Sequence, residues 1–163
     1  MEALQILVKN MEKKDIRKQV FAQRAKTSEA FVQQQSSLIA GKIFALPQFQ
    51  DASCIYVYMD YNKEASTRPI IEEAWRLGKK VAAPKVFGED MRYFYDDVAP
   101  GYFNIPEPDE TRNLKEAADE TALLLVPGVA FDKDRHRCGY GKGFYDRYLS
   151  RHTQHATVAM ALD

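Results

Sequence analysis

Two short, almost uninterrupted apolar runs constrain the fold of this chain more than any other feature. The first, over 54–59, reads Cys-Ile-Tyr-Val-Tyr-Met, and the second, over 122–126, reads Ala-Leu-Leu-Leu-Val. Each run has the length of a strand. Neither run shows the alternation of apolar and polar residues that is typical of a strand with one solvent-exposed face. A strand covered on both faces is typical of a parallel sheet flanked by helices. The runs therefore predict an α/β fold.

The residues before the first run predict two helices. Residues 11–26 are charged and amphipathic, with Ile16, Val20 and Phe21 as a narrow apolar stripe. Ser28 suits the N-cap of a second helix, which Pro47 would stop. Apolar residues at core spacing in that second helix are Phe31, Leu38, Ile39, Ile43 and Leu46.

The segment after the first run predicts a βαβ unit. Thr67 is a natural N-cap, Pro69 fits the first helical turn, and Gly78 would close the helix before a strand over 80–84. A turn over 85–89, a strand over 91–95, a short helix over 113–120 and a last strand over 157–162 complete the assignment. Together, these helices and strands predict a single-domain three-layer sandwich, in which an open and mostly parallel sheet has helices on both faces.

Size and charge limit the classes of protein that fit. The 163 residues are most simply one domain, and 23 basic against 23 acidic side chains give no general attraction to nucleic acid or to an anionic membrane. No run approaches the roughly 20 apolar residues that span a bilayer. Cys54 and Cys138 are expected to pack rather than to bind metal, and with no signal peptide in evidence a reducing cytoplasm is the expected location.

A glycine-rich segment, residues 139–146, lies downstream of the second apolar run. Residues 139–146 read Gly-Tyr-Gly-Lys-Gly-Phe-Tyr-Asp, and the apolar spacing from Phe144 onward suits a helix. Glycines let backbone N–H groups turn toward an anion, and a helix N-terminus adds further donors, so the stretch outlines a phosphate site. It is neither a Walker loop nor a Rossmann fingerprint, and a tight connection is the alternative interpretation.

The longer pattern around this stretch resembles a known signature. Residues 126–132 read Val-Pro-Gly-Val-Ala-Phe-Asp, Arg137 follows, and 139–146 complete a pattern that closely resembles the 5-formyltetrahydrofolate cyclo-ligase family. The resemblance implies an enzyme that uses ATP and Mg²⁺ to convert 5-formyltetrahydrofolate into 5,10-methenyltetrahydrofolate. It also implies small-molecule partners only, and a monomer is expected.

The resemblance also implies roles for particular residues. Lys142 and Tyr145 would be catalytic, and Asp146 would bind Mg²⁺. The ATP site would comprise Lys13, Arg17, Arg137, Gly139, Tyr140, Gly141, Lys142, Gly143, Phe144 and Tyr145. The folate site would comprise Met59, Glu64, Phe103, Tyr140, Gly141, Lys142, Gly143 and Phe144.

Several of these residues have simpler interpretations from the sequence alone. Lys13 and Arg17 would share a solvated face of a surface helix, and Glu64 would be a solvent-facing loop acid. Phe103 would suit an anchor onto its own core. Asp146 would suit the dipole at a helix start. Trp75 is expected in the core rather than at a ligand.

Two other functions stay open at this stage. Family members usually continue past the last predicted strand into a segment with a second acidic metal ligand. This sequence lacks that segment, which predicts either a truncated sequence or an incomplete metal site. Residues 1–10 precede the matching region as an expected extension. A non-catalytic nucleotide or folate binder is therefore one alternative. A sugar-phosphate isomerase on a similar open sheet is the other, since fold alone does not decide function.

Overall fold

The computed structural model describes residues 12–60, 63–95, 115–128, 130–131, 137–139 and 142–162. Its helices are α1 (Lys13–Lys26), α2 (Glu29–Phe44), α3 (Pro47–Asp51), α4 (Arg68–Arg76) and α5 (Phe144–Arg151). Its strands are β1 (Cys54–Tyr56), β2 (Lys80–Phe87), β3 (Asp90–Tyr95), β4 (Leu123–Val126), β5 (Ala130–Phe131), β6 (Arg137–Cys138) and β7 (Thr157–Ala159).

The main sheet has the strand order β3-β2-β1-β4-β7. β1 pairs in parallel with both β2 and β4, β4 pairs in parallel with β7, and β2 and β3 form an antiparallel hairpin. The predicted open, mostly parallel sheet is confirmed. A separate antiparallel ribbon of β5 and β6, which the sequence pattern did not predict, lies against α1.

The pleat of the central strands divides the core between two faces. Ile55 and Val57 belong to a buried cluster with residues of α2, α3 and α4, called the first-face cluster below. Cys54 and Tyr56 belong to a second cluster with Tyr148 of α5. Successive residues of a strand point to opposite faces, so a run without polar positions is buried only when both faces are covered. The predicted three layers follow from this burial.

The start of α2 agrees with the sequence, and its buried face agrees in part. The Ser28 hydroxyl accepts a hydrogen bond from Phe31 N at 3.1 Å, as expected of an N-cap. Phe31 and Leu38, expected in the core, are 37% and 57% exposed. The buried positions are Val32, Ser36, Ala40 and Ile43. The expected core positions Ile43, Ile39 and Leu46 do pack against the core. A pattern of large apolar residues alone misses the small buried positions Ser36 and Ala40.

The predicted helix over 113–120 is wrong in its described part. Residues 115–117 instead run beside β3, where Tyr95 N donates to Lys115 O at 2.9 Å and Ala117 N donates to Tyr93 O at 2.7 Å. An edge strand offers unpaired backbone groups, and this segment satisfies them. Ala117 is buried there, so tertiary pairing overrides the local preference for a helix.

The β2–β3 hairpin also differs from the expected turn over 85–89. β2 continues to Phe87 because residues 85–87 pair with 90–92 of β3, which leaves a turn of two residues. Gly88 has φ +60° in that turn, a conformation that glycine adopts without strain. The helix α4, by contrast, ends at Arg76 as predicted, since Gly78 follows the C-cap residue with a φ of +75°.

Both cysteines are buried and unbridged, in agreement with the expected packing roles. Trp75 packs against the first-face cluster, as expected. Among the helices that the structure describes, none combines the length and the apolar character needed to cross a bilayer.

Candidate active site

Two loops leave the carboxyl ends of neighbouring parallel strands. Residues 57–67 follow β1, and the chain from Pro127 onward follows β4, which pairs directly with β1. Open α/β sheets place ligands in the crevice beyond this edge. The Glu64 loop and the chain that leads through β5 and β6 to the glycine-rich segment therefore begin side by side.

The loop after β1 is held by buried hydrogen bonds. The Tyr58 hydroxyl donates to Ala65 O at 2.7 Å, and the Thr67 hydroxyl donates to Tyr58 O at 2.8 Å. Ser66 N donates to Ser36 Oγ of α2 at 2.8 Å. Thr67 therefore occupies the predicted N-cap position, but its hydroxyl fixes the loop and does not cap the helix.

Glu64 and Met59 lie at this loop. Glu64 is only 7% exposed, so the solvent-facing interpretation of its carboxylate is wrong. Met59 is partly buried and packs against the first-face cluster. A buried carboxylate carries a large desolvation cost, which makes Glu64 unusual for a loop residue.

α1 is tied to both loops through two residues that the sequence did not single out. Lys63 Nζ donates to Arg24 O at 2.9 Å and to Thr27 O, so an ammonium group satisfies carbonyls at the carboxyl end of α1. Arg24 Nη2 in turn donates to Gly128 O at 3.3 Å. These partners lie 39 and 104 positions apart, so no local pattern could have predicted them.

The amino-terminal basic pair and the glycine-rich segment meet at Arg17. Its Nε donates to Gly139 O at 2.6 Å. Lys13 is exposed on the same helix face, and its carbonyl lies 3.8 Å from the buried Cys138 Sγ. The interpretation of Arg17 as part of a merely solvated face is therefore wrong.

The glycine-rich segment ends in the first turn of α5. Gly143 is the N-cap, with φ +70°, and it has no side chain to satisfy the first N–H groups of the helix. Lys142 precedes it and Asp146 follows in the first turn, both exposed. This end of α5 thus combines backbone donors, a cation and a carboxylate within five residues of sequence.

Tyr145 is partly buried in the first turn of α5. Its ring packs against the buried clusters on both faces of the sheet. Burial raises the pKa of the neighbouring Tyr93 well above its ordinary value, and the adjacent Tyr145 hydroxyl raises it further. The Tyr93 hydroxyl consequently stays protonated and does not act as a base near neutral pH.

Some predicted residues lie outside the described part of the chain. Tyr140, Gly141 and Phe103 are among them, and for Arg137 only the backbone in β6 is described. Among the described candidates, the contacts bring Arg17 and Gly139 together. Lys142, Gly143, Phe144, Tyr145 and Asp146 follow one another at the start of α5.

Fold and site together define an open α/β protein in which a basic helix and a glycine-rich helix entry meet beyond the carboxyl edge of a parallel sheet. Residues 9–162 match the 5-formyltetrahydrofolate cyclo-ligase family, and the chain belongs to that family. The family resemblance carried by the glycine-rich signature is thereby confirmed.

Named relatives and a solved structure support the same grouping. The chain is 30% identical over 151 residues to a Schizosaccharomyces pombe protein named probable 5-formyltetrahydrofolate cyclo-ligase, covering 88% of this chain and 74% of the relative. It is 32% identical over 142 residues to a Caenorhabditis elegans protein of the same name, covering 80% and 68%. The solution structure of an Aquifex aeolicus 5,10-methenyltetrahydrofolate synthetase superposes with a TM-score of 0.75 at 27% identity, covering 93% of this chain and 78% of that one.

Proposed function

We propose that this chain catalyses the ATP-dependent closure of 5-formyltetrahydrofolate to 5,10-methenyltetrahydrofolate, with release of ADP and phosphate. Family membership supports the reaction class. The observation that carries the assignment of the site is the hydrogen bond from Arg17 to Gly139, because it joins the basic helix to the glycine-rich segment.

The chemistry requires activation of a formyl oxygen that leaves poorly. The γ-phosphoryl group of ATP moves to that oxygen, which leaves ADP, and the folate N10 nitrogen then attacks the activated carbon. The C–O bond breaks, phosphate departs, and the proton of N10 is released to solvent. Phosphoryl transfer depends on positioning and charge neutralisation, which backbone donors and cations supply.

On the ATP side, the exposed ammonium of Lys142 and the N–H groups over 139–144 would hold the phosphates. Arg17 would shape the loop through its hydrogen bond to the backbone, while Lys13 and Arg137 add positive charge. The N-terminus of α5 carries the positive end of the helix dipole, which favours an anion at the same place.

On the folate side, Glu64 is proposed to bind the pterin and Met59 to line its pocket, with Phe103 and the residues over 140–144 completing the site. Hydrogen bonds from Tyr58 and to Ser36 hold the Glu64 loop, so the carboxylate would be positioned before the substrate binds. The Tyr145 hydroxyl is proposed to orient the formyl group.

The donor chemistry near α5 fits Mg²⁺. Within the described part of the chain, no three metal-ligating side chains come together. Magnesium bound to a nucleotide keeps several waters and needs only one or two carboxylates, so Asp146 in the first turn of α5 is sufficient as a protein ligand. When bound, the ion would neutralise phosphate charge.

The remaining proposals concern the protein as a whole. We propose that residues 1–163 form one domain, that the protein acts as a monomer on ATP and folate, and that it resides in the cytoplasm. Gel filtration with light scattering tests the oligomeric state.

The reaction is tested by mixing the protein with ATP, Mg²⁺ and 5-formyltetrahydrofolate and following methenyl absorbance. We expect absorbance to rise only with ATP present, and Lys142→Ala to raise the KM for ATP about tenfold or more. Lys42→Ala, an exposed lysine on α2, is the matched control and should behave as wild type.

Three outcomes would contradict the proposal. Nucleotide or folate binding by calorimetry without any absorbance change would identify a non-catalytic binder. Turnover of a sugar phosphate without nucleotide, retained in Lys142→Ala, would identify an isomerase. Normal ATP dependence in Lys142→Ala would keep the reaction but move the phosphate site away from the glycine-rich segment.

A further inference from the structure

Arg147, one turn into α5, connects that helix to the β2–β3 hairpin. Its Nε and Nη2 donate to the carbonyl oxygen of Glu89 at 3.1 and 2.9 Å. Glu89 lies in the two-residue turn of the hairpin, 58 positions earlier in the sequence. Two donors of one planar guanidinium on a single carbonyl define the orientation of the side chain as well as its distance.

The same guanidinium also lies against the exit of the glycine-rich segment. Arg147 Cζ is 5.2 Å from the centroid of the Phe144 ring. A Cβ atom built on Gly143 would lie 2.9 Å from Arg147 Nη1. The guanidinium therefore occupies the space beside Gly143 and lies over the ring of Phe144. Its Nε and Nη2 atoms bind the hairpin at Glu89 O.

We infer that Arg147 is a positioning residue that orients the Gly143–Phe144 exit of the glycine-rich segment by fastening it to the turn at Glu89. The inference rests on the proposed function, because it gives the segment the task of holding ATP. Glycines have few conformational preferences of their own, and a binding constellation must be held within roughly 0.5 Å by its surroundings. Arg17 fixes the entry of the segment at Gly139, and Arg147 fixes its exit.

Arg151 separates this role from simple docking of the helix. One turn further along α5, Arg151 Nη1 lies 2.7 Å from Asp90 Oδ1, in the strand that follows the same turn. Both side chains are well exposed, at 61% and 49%. Arg151 thus fastens α5 to the hairpin without contacting the glycine-rich exit in any described interaction, and it is the matched control.

The experiment compares Arg147→Met, Arg147→Lys and Arg151→Ala in the full chain. Met keeps an apolar stem over Phe144 but has no donors, while Lys keeps one charged donor without the planar fork. We expect Arg147→Met to raise the KM for ATP about tenfold, with the KM for folate changed less than about twofold. Arg147→Lys should recover part of the loss, and Arg151→Ala should match wild type.

Amide hydrogen exchange without nucleotide supplies a second readout. We expect peptides covering 142–147 to exchange faster in Arg147→Met than in wild type or Arg151→Ala, because the exit is no longer held. Equal effects of Arg147→Met and Arg151→Ala, or lower stability with unchanged KM and exchange, would overturn the inference.

Lys142→Ala distinguishes failure of this inference from failure of the proposed function. If Lys142→Ala raises the KM for ATP and Arg147→Met does not, the positioning role is wrong and the phosphate site stands. If neither variant changes the KM for ATP, the phosphate site is elsewhere. In that case faster exchange in Arg147→Met would still show that Arg147 holds the segment, but not for ATP.

Discussion

Arg17 donates from Nε to the carbonyl oxygen of Gly139 at 2.6 Å, which joins two residues 122 positions apart. The bond fixes the first glycine of the segment from a helix at the other end of the chain. A guanidinium that binds a backbone carbonyl shapes the loop as well as contributing charge. Shape and charge can therefore be separated by substitution.

Replacing Arg17 by lysine keeps the charge and removes the fork. We expect Arg17→Lys to lower kcat/KM for ATP about tenfold and Arg17→Ala to lower it about a hundredfold, since the alanine variant loses both the hydrogen bond and the charge. Steady-state kinetics with varied ATP measures both values.

Lys18→Ala is the control for this comparison, because Lys18 is exposed on the same helix. A wild-type value for Arg17→Lys would show that only charge matters at this position. A wild-type value for Arg17→Ala would remove α1 from the ATP site.

Gly143 is the glycine whose replacement should be most damaging among those that the structure describes. Its φ of +70° costs a residue with a Cβ roughly 1–2 kcal/mol. The new Cβ would also lie 2.9 Å from Arg147 Nη1 and push that side chain away from Glu89. We expect Gly143→Ala to lower the free energy of unfolding by about 1–2 kcal/mol and to raise the KM for ATP.

Gly41→Ala provides a control in which the free energy of unfolding should change in the opposite direction. Gly41 lies within α2, and nothing is found within 4 Å of a Cβ built there. Alanine is the better helix former, so the free energy of unfolding should rise by about 0.5–1 kcal/mol. Urea unfolding of the two variants measures both effects. An unchanged free energy of unfolding in Gly143→Ala would contradict the prediction that a Cβ at Gly143 is strained.

Ser36 tests whether the Glu64 loop is held from α2. Its buried Oγ accepts from Ser66 N at 2.8 Å, two residues beyond Glu64. We expect Ser36→Ala to cost about 1–2 kcal/mol of stability and to raise the KM for folate more than that for ATP. Ser37, exposed on the next position of the helix, gives the matched variant Ser37→Ala.

The two Ser variants separate loop positioning from a general effect on α2. Equal KM values for folate in Ser36→Ala and Ser37→Ala would mean that the Ser66 contact does not matter for substrate binding. An equal rise in the KM values for ATP and folate in Ser36→Ala would point to general destabilisation instead.

The sequence predicted the sheet well because a strand that is buried on both faces is apolar at nearly every position. The run around Ile55 is apolar at every position since α2 and α5 cover opposite faces of β1. The α4 boundaries were similarly predictable, because Pro69 and Gly78 act through local backbone geometry. Both signals depend on near neighbours in sequence.

The predictions that failed depend on distant partners. Ser36 and Ala40 are buried on α2 while the larger Phe31 and Leu38 are exposed, and this difference depends on what the rest of the fold packs against each position. Residues 115–117 pair with β3 because that edge is open. Arg147 contacts a residue 58 positions away, and Lys63 contacts residues up to 39 positions away. Local sequence patterns do not predict contacts over such separations.

Cys54 gives the protein a predictable response to alkali. Burial raises the pKa of its thiol from 9.0 to about 12, with Asp119 as a second, like-charged cause. The folded state therefore keeps the proton that the unfolded state loses. This contribution to stability is fully present below pH 9.0 and is lost as pH rises from there toward about 12.

We expect Cys54→Ala to flatten the alkaline loss of stability. Wild type should lose up to about 1.4 kcal/mol per pH unit more than the variant once the unfolded thiol ionises. Urea unfolding of both proteins at a series of values between about pH 8 and about pH 10 measures the difference in slope, and the constant cost of the cavity cancels. Tyr56 and Tyr148 also have pKa values raised by burial in both proteins, and the Cys54 thiol is a minor further cause for Tyr56, so the difference in slope includes this coupling. Parallel slopes would show that the Cys54 thiol ionises as easily in the fold as outside it, and that β1 admits water.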